Sequence, residues 1–100
     1  MEVSESQFDG AISISMPERF DMQIHREFID VQSSLRGRTS EVRVDLARTL
    51  YMDSSALGML LMLREAVGGE AGNVTLANCG PEISKILQIA NFETLFSIER

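Results

Sequence analysis

Apolar and polar residues alternate along three short stretches of the chain, which is the spacing of half-buried β-strands. These stretches are residues 12–16, "EVRVDLART" at 41–49 and "NVTLANC" at 73–79. In the second of them, Val42, Val44 and Leu46 fall on one side of the strand. A last short strand is predicted in "LFSIE".

A hairpin is predicted at the start of the chain, in "ESQFDGAISISM" at residues 5–16. Asp9-Gly10 supplies the positive φ angles that a tight two-residue turn needs. The strand at 12–16 would therefore pair antiparallel with the residues before the turn.

Three stretches repeat their apolar residues every three or four positions, as helices with one buried face do. The first lies in "PERFDMQIHREFIDVQSSLRG", where Asp21 is a suitable N-cap and Gly37 ends the helix. The second covers 54–67 and ends at Gly68-Gly69. The third lies in "GPEISKILQIAN", with Pro81 in its first turn. The predicted inner faces are Ile24, Phe28, Val31 and Leu35 in the first helix, and Ile83, Ile86, Leu87 and Ala90 in the third.

The predicted order is therefore β-β-α-β-α-β-α-β in one α/β domain spanning residues 1–100. A hairpin followed by repeated αβ units predicts a mixed, mostly parallel sheet of four to five strands with three helices and right-handed crossovers.

The second helix, in "YMDSSALGMLLML", has an apolar arc wider than one sheet requires. At 100° per residue, one stripe faces the sheet (Ala56, Leu60, Leu63 and Val67), and Ser55, Met59, Met62 and Ala66 lie on one flank. Gly58 and Glu65 point away from the core. Either a neighbouring helix covers the excess, or a methionine and leucine patch beside Ser55 is exposed for a partner.

A helix N-terminus carries unpaired N–H groups and a partial positive charge. Asp53 or Ser54 can cap the second helix, which accounts for one of the polar residues at its start. A second serine at the edge of an apolar patch suggests a switch. Phosphorylation of Ser55 would bring nearly two negative charges to that edge.

Composition narrows the classes of function. The net charge of −6 argues against nucleic acid and against anionic membranes as partners, and is compatible with a basic protein partner. No apolar run reaches the roughly 20 residues that span a bilayer. The acidic, polar N-terminus does not resemble a secretory signal, so we expect a cytoplasmic protein. The single cysteine, Cys79, is most simply a small buried residue.

"MDSSALG", following the strand "VRVDL" and opening an apolar helix, resembles the phosphorylation motif of the STAS family of anti-sigma factor antagonists, whose usual form is D-S-S-G-L-G. "RFD" is similar to a turn of that family, and "NCGPEISKILQIANFETLFSI" resembles its helix-then-strand ending. The resemblance spans nearly the whole chain. It implies a regulator, not an enzyme, that binds an anti-sigma factor serine kinase when unphosphorylated and is released by phosphorylation.

Carried over by position, the resemblance makes Ser55 the phosphoacceptor and Asp21 a neighbour of the site. It also implies resetting by a metal-dependent serine phosphatase. The family's last helix has no counterpart after "SIER", which leaves a homodimer among the expected assemblies. The expected partner-binding residues are Asp21, Asp53, Ser54, Ala56, Leu57, Gly58, Met59, Leu61 and Met62.

Two alternatives remain. The first is a STAS-like module that binds constitutively, as a scaffold in a sensory complex or a partner of a transport ATPase, with serines that only cap. The second is an enzyme, but "DSSALG" is not G-x-S-x-G and His25 is the sole histidine. With no glycine-rich phosphate loop and no metal-spaced set of ligands, we expect no catalytic residue, no cofactor and no metal site.

Overall fold

The computed structural model describes residues 1–6, 10–38, 41–69 and 73–100. The strands are β1 Glu2–Glu5, β2 Ile12–Ser15, β3 Arg19–Phe20, β4 Val42–Asp45, β5 Tyr51–Met52, β6 Val74–Ala77 and β7 Ser97–Ile98. The helices are α1 His25–Leu35, α2 Ser54–Ala66 and α3 Pro81–Ile89, with 3₁₀ turns at Met22–Ile24 and Phe92–Thr94.

Five strands form the main sheet in the order β1-β2-β4-β6-β7. β1 runs antiparallel to β2, and the other neighbours are parallel. The predicted mixed, mostly parallel sheet with three helices is confirmed. From β2 onward, each new strand of the chain is added to the same edge of the sheet, in the order β2, β4, β6 and β7. Right-handed crossovers between these strands therefore put all three helices on one face of the sheet. That face is buried, and it carries Ile12, Ile14, Val42, Val44, Val74 and Leu76.

The predicted N-terminal hairpin is present. Glu2 pairs with Ser15 and Glu5 pairs with Ile12, and the N–H of Ser6 donates to the carbonyl of Ala11 at 2.8 Å. The two-residue turn at Asp9-Gly10 is wrong, because it requires Ala11 to pair with the residue directly before Asp9, whereas Ala11 pairs with Ser6. Asp9 itself lies outside the described residues.

The helices begin and end close to where the sequence predicts. Asp21 caps the 3₁₀ turn that leads into α1, and Gly37, at a φ of 83°, follows the end of α1. α2 ends at Ala66, just before two glycines with positive φ angles. Pro81 begins α3, whose Ile83 and Leu87 are buried.

Two residues of β3 pair with two residues of β5, and this small parallel ladder is separate from the main sheet. Arg19 pairs with Tyr51, and Phe20 pairs with Met52. The predicted order of elements does not include this ladder. In the described part of the chain, no helix is both long enough and apolar enough to span a bilayer.

Candidate functional site

The β3–β5 ladder brings the two predicted aspartates together. Phe20 and Met52 are paired in this ladder. Asp21 directly follows Phe20, and Asp53 directly follows Met52. Neighbouring strands lie about 4.8 Å apart, so the two aspartates leave the ladder from adjacent positions. Residues far apart in sequence therefore meet beside the start of α2.

Each aspartate caps the turn or helix that follows it. An Asp53 carboxylate oxygen accepts from the N–H of Ala56 at 3.0 Å, so Asp53, not Ser54, is the side-chain cap of α2. Asp21 accepts from the N–H of Gln23 at 3.0 Å. Its second oxygen lies 3.3 Å from Nε of Arg19. Asp21 is itself buried, with 7% of its surface exposed, so its influence on this site is mainly electrostatic.

Ser54 and Ser55 form the first turn of α2. Ser54 is exposed and Ser55 is half-buried. Neither hydroxyl makes a hydrogen bond within the part of the chain that the structure describes. The Ser55 hydroxyl is thus not sealed in the core, and capping of α2 does not depend on it.

The expected exposure of Met59 is wrong. Met59 and Ala56 are 1% and 0% exposed, and Ala66 on the same flank as Met59 is 4% exposed. The reason is the packing of α1 against α2, which continues to the end of both helices, where the N–H of Gly37 donates to the carbonyl of Ala66 at 3.0 Å. Ala56 and Met59 therefore support α2 from inside and cannot present their side chains to a partner.

The remaining predicted residues of α2 do reach the surface. Leu61 and Met62 are 38% and 39% exposed, Gly58 is exposed and Leu57 is half-buried. We call Ser54, Ser55, Leu57, Gly58, Leu61 and Met62 the α2 surface. It runs from the start of α2, which the Asp53 carboxylate caps, to the large apolar side chains of Leu61 and Met62 about two turns further on.

An exposed cluster that was not predicted from the sequence lies beside the two aspartates. Met22, Leu50 and Tyr51 are 57%, 68% and 43% exposed, and the guanidinium of Arg19 lies 4.5 Å from the centre of the Tyr51 ring. Tyr and Arg are enriched in the anchors of protein–protein interfaces. The cluster depends on the β3–β5 ladder, whose two-residue strands are too short to show any alternation in the sequence.

The thiol of Cys79 does not add a reactive group to this surface. Cys79 is buried, and burial raises the pKa of its thiol, against a smaller opposite effect of Arg100. A raised pKa makes the reactive thiolate scarcer. Among the described residues, no three His, Cys, Asp or Glu side chains are grouped as metal ligands.

The sequence profile of the family described as "Mlab, STAS domain" matches residues 3–97. A curated relative, a STAS-domain containing protein of Pseudomonas aeruginosa (strain UCBPP-PA14), is 47% identical over 87 residues, which are 87% of this chain and 86% of the relative.

Several solved structures share the fold. A STAS domain protein from Planctomyces limnophilus matches with a TM-score of 0.76 at 17% identity, over 98% of this chain and 87% of its own. The anti-sigma factor antagonist SpoIIAA in its unphosphorylated form matches with 0.64 at 20% identity, over 88% and 81%. The phosphorylated form of the Bacillus protein SpoIIAA matches with 0.62 at 18% identity, over 97% and 88%.

Proposed function

The chain belongs to the STAS domain family, and from that premise we propose that it is an anti-sigma factor antagonist controlled by phosphorylation of Ser55. In this proposal the unphosphorylated protein binds a cognate anti-sigma factor that is also a serine kinase, and phosphorylation releases it. A metal-dependent serine phosphatase resets Ser55. The protein acts in the cytoplasm by binding, without catalysing a reaction itself.

The observation that carries the proposal is the setting of Ser55. Its side chain is half-buried but reachable, and it makes no hydrogen bond among the described residues. It lies in the first turn of α2, on a surface that also exposes Leu61 and Met62. A kinase can reach such a hydroxyl, and a partner seated on the α2 surface lies close to it.

Phosphate at Ser55 would act by charge without unfolding α2. The N–H groups at the start of a helix favour an anion there, so the helix tolerates the phosphate. Two like unit charges 4 Å apart repel by about 4 kcal/mol at an effective dielectric constant of 20, before salt screening. Any acidic or apolar partner group opposite Ser55 would meet this repulsion or lose its contact. Each 1.4 kcal/mol lost weakens binding about tenfold.

The test is the affinity of Ser55 variants for the purified anti-sigma factor kinase, measured by calorimetry. Ser55→Ala should bind as the unphosphorylated protein does, because the capping bond belongs to Asp53. Ser55→Glu should bind at least about tenfold more weakly, which corresponds to about 1.4 kcal/mol. Ser4→Glu is the matched control, since it adds the same charge on the exposed strand β1. If Ser55→Glu and wild type bind with equal affinity, the switch is contradicted and the protein is a constitutive binding module.

A further inference from the structure

A groove runs between the C-terminal half of α1 and the second half of α2. It is lined by Gln32, Arg36, Leu61, Met62 and Glu65 and has a volume of about 300 Å³. We call it the interhelical groove. Leu61 and Met62, which belong to the α2 surface, form its apolar wall.

Gln32 is the unusual member of the groove. It is 4% exposed, and its Oε1 is the one buried side-chain oxygen or nitrogen without a hydrogen-bond partner among the described residues. Leaving a buried acceptor unpaired costs free energy. Gln32 lines the groove, and because the terminal amide torsion of Gln is broad, its amide can rotate to present Oε1 to a partner. Phe28 and Leu35, its buried neighbours on α1, are apolar.

The groove is continuous with the α2 surface around Ser55. Met62 lies seven residues after Ser55, which at 100° per residue is 20° short of two full turns and about 10.5 Å along the helix. Ser55 and Met62 therefore lie on the same flank of α2. Met59, between them, is covered by the protein itself. A partner that contacts Ser55 has to bridge Met59 to reach the groove.

We propose that the interhelical groove is a second anchoring site for the anti-sigma factor kinase, with Gln32 as the acceptor that the partner satisfies. This inference rests on the proposed function and adds the chemistry of the partner segment. The segment is amphipathic. It inserts an apolar side chain between Leu61 and Met62, and a hydrogen-bond donor beside that side chain binds Oε1 of Gln32.

Charge sets the orientation of this segment. At the Ser55 end the segment is apolar, because a basic group there would be attracted to the phosphate and would not be released by it. At the groove it faces Arg36 and Glu65, both exposed, which favour an acidic group next to a basic one. The net charge of −6 also favours a partner that is basic overall.

The experiment compares Gln32→Met with wild type in two measurements, the melting temperature of the free protein and its affinity for the purified anti-sigma factor kinase. Methionine keeps the side-chain length and removes the unpaired oxygen. We expect a melting temperature equal to or above that of wild type, together with affinity at least about tenfold weaker. Gln88→Met, the same change at an exposed position of α3, is the matched control and should change neither quantity.

Unchanged affinity of Gln32→Met would overturn the inference, because the partner would then not use the acceptor. A lowered melting temperature would also overturn it, since Gln32 would then be paired within the free protein. Ser55→Glu in the same assay separates the two proposals. If Ser55→Glu binds normally while Gln32→Met binds weakly, the switch fails and the groove stands. The reverse result rejects the groove alone, and no binding by wild type rejects both.

Discussion

At the scale of single residues, two aspartates hold the candidate site in shape. Asp21 and Asp53 start from adjacent positions after the β3–β5 pairs and accept backbone N–H bonds at 3.0 Å. A side-chain cap of this kind stabilises a helix by about 1 kcal/mol. The first turn of α2 is therefore fixed by Asp53, and the Ser55 hydroxyl stays available for modification.

Gly58 provides a residue-scale prediction. It is exposed in the middle of α2, and a Cβ built there meets nothing within 4 Å. Gly58→Ala should raise the free energy of unfolding by roughly 0.5–1 kcal/mol in urea titrations, because alanine restricts the unfolded chain and favours the helix. The same variant should bind the anti-sigma factor kinase more weakly, since the methyl group stands on the α2 surface.

Gly37→Ala is the matched comparison for stability. Its Cβ also meets nothing within 4 Å, but its φ is +83°, a region that alanine disfavours. It should therefore lower the free energy of unfolding by roughly 1 kcal/mol. If Gly58→Ala binds the kinase with wild-type affinity, Gly58 is not part of the proposed binding surface.

At the scale of elements, the packing of α1 divides one flank of α2 into buried and exposed parts. Met59 and Ala66 are buried, whereas Met62 is 39% exposed. A flank that is uniform in a helical projection therefore has two roles. Met59 belongs to the hydrophobic core, and Met62 lines the interhelical groove.

Met59→Gln and Met62→Gln test this division with the same chemical change. Met59→Gln should lower the free energy of unfolding by roughly 3 kcal/mol, since it removes packed apolar atoms and buries an amide. Met62→Gln should change it by less than about 0.5 kcal/mol, yet weaken binding of the kinase. Urea titrations and calorimetry measure the two effects. A Met59→Gln variant as stable as wild type would contradict the place of Met59 in the hydrophobic core.

At the scale of the whole molecule, side chains at the carboxyl ends of the strands link parts of the chain that are distant in sequence. Asp45, at the end of β4, accepts from Nδ2 of Asn78 at 3.0 Å and from the N–H of Ala47 at 2.9 Å. The bond from Asn78, followed by that from Ala47, lowers the pKa of the Asp45 carboxyl below its usual value. Ionised Asp45 therefore stabilises the folded protein.

The pH dependence follows from the direction of this shift. Because the folded pKa is lowered, the stabilisation is fully present above the unfolded pKa of about 3.9. It is lost as the pH falls through the folded pKa. The difference in free energy of unfolding between wild type and Asp45→Asn should thus be constant from pH 7 to about pH 5 and shrink below pH 4. Asp45 is half-buried, and solvent still screens its two hydrogen bonds, so the effect should be small.

Urea titrations from pH 7 to about pH 2.5 measure this difference. Asp30→Asn, at an exposed position of α1, controls for the loss of one negative charge. A difference between wild type and Asp45→Asn that grows toward acid pH would contradict the stabilising role of the ionised carboxyl.

The sequence by itself determined the order of the three helices and of the main-sheet strands, the inner faces of those strands and the helix ends. These features depend on periodicity and on cap residues such as Asp21 and Asp53, which act within a few residues of the chain. The same local signals placed Ser55 at the start of α2, where the structure has it.

Tertiary structure alone decided which apolar residues stay exposed. A helical projection gives the face of α2 on which Met59 and Met62 lie, but not how far α1 extends over that face. The pairing of Phe20 with Met52 and the unpaired oxygen of Gln32 likewise depend on contacts between residues distant in sequence. Burial is a property of the packed neighbour as well as of the residue, so no local pattern encodes it.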